Sequence, residues 1–146
     1  MTENYINRRV FSPVMDYRRG IYKSKGERRI ADYLSDQQIA FDYEYPLAIR
    51  DRGMVRIWYP DFRLRDYGMI LEYFGVNHDE AYNDQIAHKI LTYQAAGIDG
   101  IYMLESSFDG DWKGQILERI DQVQSDRLDR IRSINDPVYA AARARR

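Results

Sequence analysis

Glu72 lies inside an apolar run, Ile70-Leu71-Glu72-Tyr73-Phe74-Gly75. Side chains alternate along a strand, so a solvent-facing Glu72 would expose Ile70 and Phe74 as well. A carboxylate in that position belongs in or beside the core, where it needs a hydrogen-bonding partner or a cation. A second acid, Asp61, stands in Tyr59-Pro60-Asp61-Phe62 on what reads as the neighbouring strand. Two carboxylates converging from adjacent strands make a hard, oxygen-rich site suited to Mg²⁺. Each acid also has a structural reading. Asp61 would be a turn residue at a bend made by Pro60, and Glu72 a buried acid bonded to an Arg or Tyr.

Two further groups have the right type. Glu27 follows Ser24 at the spacing of a capping box, in which the glutamate reaches back to the cap amide. Lys89 falls in a helical stretch where Tyr82, Gln85, Lys89 and Tyr93 recur three or four apart and share one stripe. Beside it runs the apolar stripe of Ile86 and Ile90, where a lysine ordinarily snorkels to solvent. The histidines are His78 and His88. His88 is offset about 100° from Lys89 and reads as a surface residue. His78, in the loop after Gly75, reads as a loop residue within reach of a phosphate.

These residues must be held by a definite order of elements. Residues 1–22 form a basic, aromatic arm broken by Pro13. Ser24-Lys25-Gly26-Glu27 opens a helix to about Gln37, with Ile30, Ala31, Tyr33 and Leu34 at helical spacing. Ile39–Tyr45 alternates as a strand ended by Pro46, and Asp51-Arg52-Gly53 signals a turn. Met54–Leu64 reads as a second strand in which Pro60 marks an edge, bend or bulge. Met69–Phe74, apolar on both faces, reads as central. A helix over Glu80–Ala96 stops at Gly97, a buried strand spans Asp99–Leu104, and a helix runs from Asp109 to Gln124 with Trp112, Ile116, Leu117 and Ile120 inward. Arg127–Ile134 reads as its continuation, and Val138–Arg146 as an Ala/Arg-rich helical tail. The order α-β-β-β-α-β-α predicts an α/β fold with a mixed four-stranded sheet flanked by helices, plus C-terminal helices.

With 146 residues, one domain is expected: the arm, a core over 24–104, and C-terminal helices with a basic tail over 109–146. The chain has no cysteine, which excludes disulfides, thiolate zinc sites and thiol nucleophiles and suits a reducing compartment. No apolar run approaches the ~20 residues of a membrane span, and the polar Met1–Val10 lacks a signal-peptide core, so a cytoplasmic protein without a membrane partner is expected. The net charge of −1 is uneven. Residues 1–30 hold eight Lys/Arg against three acids, and residues 127–146 hold six Arg against two. Basic ends around an acidic centre suit a polyanion gripped at the ends and processed in the middle, or else are simply solvated.

The ordered set of helix-Glu, strand-Pro-Asp, strand-Glu and helix-Lys resembles the PD-(D/E)XK nuclease superfamily. Pro60-Asp61 looks like its "PD" and Glu72 like its "D/E". The αβββαβ order is similar to that superfamily's restriction-endonuclease-like core. Gly26-Glu27, Pro60-Asp61-Phe62, Glu72-Tyr73-Phe74-Gly75, Tyr82 and Lys89 look like the branch found as small phage or bacterial nucleases and as domains attached to helicases. The resemblance covers about Ser24–Leu104. It departs at Phe74, where the superfamily's usual lysine would stand two residues after the acid. In several branches that lysine comes from the following helix, and Lys89 is the match here.

The resemblance implies an endonuclease hydrolysing DNA phosphodiesters with Mg²⁺, or Mn²⁺ as a substitute. Asp61, Glu72 and the backbone carbonyl of Tyr73 would hold the metal, with Glu27 completing the site. Lys89 would stabilise charge on the phosphorane or orient the attacking water. Gln85 and Tyr93 would touch substrate, and Lys25 and Arg28 would grip its phosphates without reading sequence. Specificity would come from DNA structure or from a partner protein, and a homodimer would supply the two sites that cutting both strands needs. The alternatives are a nuclease-like fold without catalysis, serving as a DNA-binding or assembly subunit of a larger machine, and an unrelated α/β protein with structural carboxylates.

Overall fold

A computed structural model describes residues 22–76 and 79–145. The basic arm through residue 21 and the candidate His78 lie outside them. The chain divides into two compact units, Met1–Trp112 and Lys113–Arg146. The first is α/β, and its main sheet is mixed and four-stranded.

Helix α1 (Lys25–Asp36) starts at Ser24, whose Oγ accepts the Glu27 N–H at 3.1 Å. It buries Ile30, Ala31 and Leu34, the stripe its spacing predicts. It ends where Gln38 turns left-handed, at φ 56°, and the Ile39 N–H closes on the Leu34 carbonyl at 2.8 Å. Strand β1 (Phe41–Tyr43) follows.

The strand expected over Met54–Leu64 is in fact two. Strands β2 (Leu47–Asp51) and β3 (Met54–Trp58) form a separate two-stranded sheet, and β4 (Phe62–Leu64) joins the main one. The break falls at Pro60, which has no N–H to give to a ladder. β2 is a strand the sequence reading did not predict; the chain resumes pairing directly after Pro46. Its hairpin closes through Arg52 and Gly53, at φ 51° and 79°, the two left-handed residues that a tight primed turn requires. The excursion is pinched at its base, where the Glu44 N–H donates to the Asp61 carbonyl at 3.1 Å.

The main sheet has the order β1-β4-β5-β6, with β5 (Met69–Tyr73) and β6 (Asp99–Met103) parallel and the other neighbours antiparallel. Helix α2 (Glu80–Ala95), capped by Asp79 through the Tyr82 N–H, makes the crossover between the parallel pair. β5 is central, as expected, and Met69, Ile70, Leu71 and Glu72 are all buried. Pairing sets Phe62 opposite Leu71 and Leu64 opposite Met69, so these share one face. The alternate face carries Ile70, which packs with Ile49 of β2 and Tyr93 of α2, and also Glu72. After β6 a short 3-10 turn, Glu105–Asp109, leads to Trp112.

Helix α3 (Trp112–Asn135) runs on without a break through Arg127–Ile134, the continuation expected from the sequence, and α4 (Pro137–Ala144) follows. Trp112, Ile116, Ile120 and Val123 are buried. Leu117, expected inward, is 42% exposed, because it is offset about 100° from Ile116. Among the described residues no helix is long and apolar enough to cross a membrane.

Candidate active site

Asp61 and Glu72 meet where β4 begins and β5 ends. Because Phe62 pairs with Leu71, the preceding Asp61 is carried opposite Glu72, on the Ile70 face. The two acids hold each other's backbone. The Asp61 N–H donates to Glu72 Oε1 at 2.7 Å, and the Tyr73 N–H donates to Asp61 Oδ2 at 2.7 Å. This reciprocal clasp replaces ladder bonds at a point where Pro60 cannot supply one.

Lys89 reaches this pair from α2. Its ammonium forms an ion pair with Glu72 Oε2. It also stands 5.8 Å from the ring centre of Phe74, within cation–π range. Phe74, two residues after Glu72, thus lies beside the lysine that comes from the helix. Asp61, Glu72, Tyr73, Phe74, Tyr82, Gln85, Ile86 and Lys89 line a cavity of about 260 Å³. Tyr82 braces it from α2 by donating its hydroxyl to the Phe74 carbonyl. Three of the four helix positions on the predicted stripe therefore line one pocket. The fourth, Tyr93, is fully buried among Ile49, Ile70 and Trp58, and its hydroxyl has no hydrogen-bond partner among the described residues.

Burial pushes the Asp61 carboxyl well above the usual aspartate range, and the neighbouring Glu72 charge adds to the shift; the Tyr73 N–H and Lys89 oppose it. Glu72 is also raised, chiefly by burial, against the charge and hydrogen bond of Lys89. Two raised acids with one lysine between them are short of positive charge. Asp61 Oδ1 is the one oxygen of the four with no protein hydrogen bond among the described residues. Hard oxygen donors in a charge-poor cavity suit a small divalent cation, which needs only one or two carboxylates alongside water. Tyr73 lines the same cavity although its side chain is directed elsewhere, at Gly26 and Phe108 and, through its hydroxyl, at Glu105.

Glu27 is placed differently. It is buried, but its carboxylate accepts the Tyr43 hydroxyl and the Lys23 N–H at 3.1 Å. The expected capping box is therefore half present: Ser24 caps the helix, but the glutamate bonds one residue before the cap. Glu27 does not line the carboxylate pocket and bears on Asp61 and Glu72 only through its charge. Among the described residues no group of three or more His, Cys, Asp or Glu side chains is arranged to share one metal ion. Gly26 has a packing role. A Cβ there would lie 2.3 Å from the tip of the Tyr73 ring, so any larger residue would force that ring to shift. Lys25 and Arg28 are exposed on α1, outside the pocket.

Sequence reasoning missed the contribution of the hairpin. His88 is not a plain surface residue: its Nε2 contacts Asp51 Oδ1 at 2.8 Å, tying α2 to the end of β2. Trp58 and Arg52 approach the site from the same hairpin. The only signal was the Asp51-Arg52-Gly53 turn, which marks a hairpin without saying where it docks. No family model matches the chain, and no curated protein or solved structure is similar enough to count as a match.

Proposed function

We propose that this protein is a metal-dependent nuclease that hydrolyses DNA phosphodiesters at the Asp61–Glu72–Lys89 pocket. The observation that carries the reading is the reach of Lys89. It leaves a helix, not the strand, yet its ammonium arrives on Glu72 in the pocket that Asp61 lines. A lysine with only a snorkelling role would direct its charge to solvent.

Asp61, Glu72 and the Tyr73 carbonyl are the groups that would hold Mg²⁺ or Mn²⁺. When bound, such an ion polarises a phosphoryl oxygen and lowers the pKa of its water. The chain's own groups do the rest. Lys89 offers a fixed positive charge to a phosphate whose charge grows in the transition state. Gln85, exposed one turn before Lys89, presents an amide to the same phosphate or its sugar. Tyr82 and Phe74 set the pocket wall on which Lys89 rests. Glu27 fixes the start of α1 and the Tyr43 hydroxyl, and tunes the acids through its charge.

A second reading has its own observation. Three of the four carboxylate oxygens are already engaged by protein groups, as in a satisfied structural clasp. Under that reading the chain is a DNA-binding or assembly subunit without catalysis. The deciding experiment offers linear, plasmid, flapped, branched and single-stranded DNA with Mg²⁺ or Mn²⁺. Cleavage by the wild type, lost in Asp61→Asn together with any metal-induced rise in Tm, supports the nuclease. A folded wild type that binds DNA but nicks none of these substrates supports the second reading.

A further inference from the structure

The carboxylate pocket does not stand alone. Gln85 and Lys89 also line a second cavity of about 380 Å³, whose other walls are Arg52, Trp58, Asp84 and His88. The β2–β3 hairpin and α2 thus flank an open cleft adjoining the two acids. Its volume falls in the range of small-molecule sites, about 300–1,000 Å³. Its walls are braced. The Trp58 ring meets the buried Tyr93 ring nearly at right angles, with centroids 5.2 Å apart. The His88 ring is held by Asp51 at 2.8 Å. Arg52 is exposed in the hairpin turn.

We propose that this cavity receives the unstacked base of the nucleotide next to the scissile phosphate, so that the preferred substrate is single-stranded at the point of cleavage. The proposal rests on the nuclease reading and names its substrate class. A half-buried indole offers a flat partner to any base, because every base has a π-face. Gln85 and His88 present hydrogen-bonding groups suited to base edges. The charge of Asp84 works against a bare phosphate inside the cavity, which favours the base as its occupant. Arg52 and Lys89 are left for the flanking phosphates. A base within a duplex is stacked and paired on both sides and must leave the stack to enter such a pocket. A single strand, a flap or a frayed end meets that condition at the least cost, since no pairing has to be broken.

Fluorescence tests this without requiring turnover. The chain has two tryptophans, so in a Trp112→Phe background Trp58 is the sole emitter. Without divalent cation, a short oligothymidylate is expected to quench Trp58 saturably. An abasic oligomer with the same number of phosphates should bind about tenfold more weakly and leave the emission unchanged, and Trp58→Ala should weaken binding of a labelled oligothymidylate about tenfold. Because Trp58 packs on Tyr93, the exposed Arg52→Ala is tested in parallel and should also weaken binding, with circular dichroism checking the fold of both. Equal binding and quenching by the abasic oligomer, or by a duplex of the same length, would overturn the proposal. If Mg²⁺-dependent cleavage is as fast on abasic as on base-bearing single strands, the cavity assignment falls and the nuclease reading stands. If nothing is cleaved but base-dependent quenching persists, the nuclease reading falls and the cavity assignment stands.

Discussion

The ion pair that Lys89 makes with Glu72 and the catalytic role proposed for it can be separated by mutation. Its ammonium neutralises a glutamate that is only 1% exposed, while the lysine itself is 37% exposed. Lys89→Met should therefore cost only about 1–2 kcal/mol of stability, since solvent screens the exposed partner and Glu72 can take up a proton. Its effect on cleavage should be far larger, on the order of 10²–10³ in kcat, as for loss of one charge-stabilising donor. Adding Glu72→Gln to Lys89→Met should restore stability but not activity, and thermal melting beside a rate assay shows the split. The acids make a pH prediction. A carboxyl raised in the folded state binds protons that the unfolded chain has released, so the metal-free protein should lose stability as pH rises. The loss runs from the ordinary aspartate range near 3.8 up to about 8 and should flatten in Asp61→Asn, as urea melts across that range would show. Much of this was legible in sequence: alternation put Glu72 on the Ile70 face, and helical spacing put Gln85 and Lys89 on one stripe. Spacing alone did not show that Tyr93, one turn beyond Lys89, faces the hairpin core.

The elements show where local rules held and where they gave way. α1, α2, β5 and β6 follow from caps, periodicity and apolar runs, and they position Lys89 and Glu72. The hairpin did not follow, because Pro46 marks the end of one strand whether or not another begins at once. Where Leu47, Ile49 and Trp58 dock depends on Ile70 and Tyr93, which are distant in sequence. Glycine tests the packing of α1 against β5. Gly26→Ala would normally favour a helix by up to about 1 kcal/mol. Here the added methyl collides with the Tyr73 ring, so a net loss of about 1–3 kcal/mol is expected. In a Tyr73→Ala background the penalty should vanish or reverse sign, which a double-mutant cycle in urea measures directly.

Across the molecule, under the proposed nuclease reading, the uneven charge is the expected source of DNA affinity. Lys25 and Arg28 are exposed on α1 and outside the pocket, so they are expected to contribute affinity without chemistry. Lys25→Ala with Arg28→Ala should reduce the slope of log K against log salt by up to about 2, equally for all sequences, while kcat at saturating DNA holds. Anisotropy titrations at several salt concentrations read that slope. Charge totals were legible in the sequence; which basic groups share a surface with the acids was not, because that depends on how α1 crosses the sheet. The pinch between Glu44 and Asp61 has a consequence for how such a molecule diversifies. The chain leaves and re-enters the main sheet at bonded neighbours, so the segment between them is an exchangeable cassette. Its length and tip can vary, and with them the guest it admits, while Asp61, Glu72 and Lys89 stay in place. One condition limits the exchange: any replacement must still present an apolar side chain where Ile49 covers Ile70 and Tyr93, or the graft will open the core beneath it.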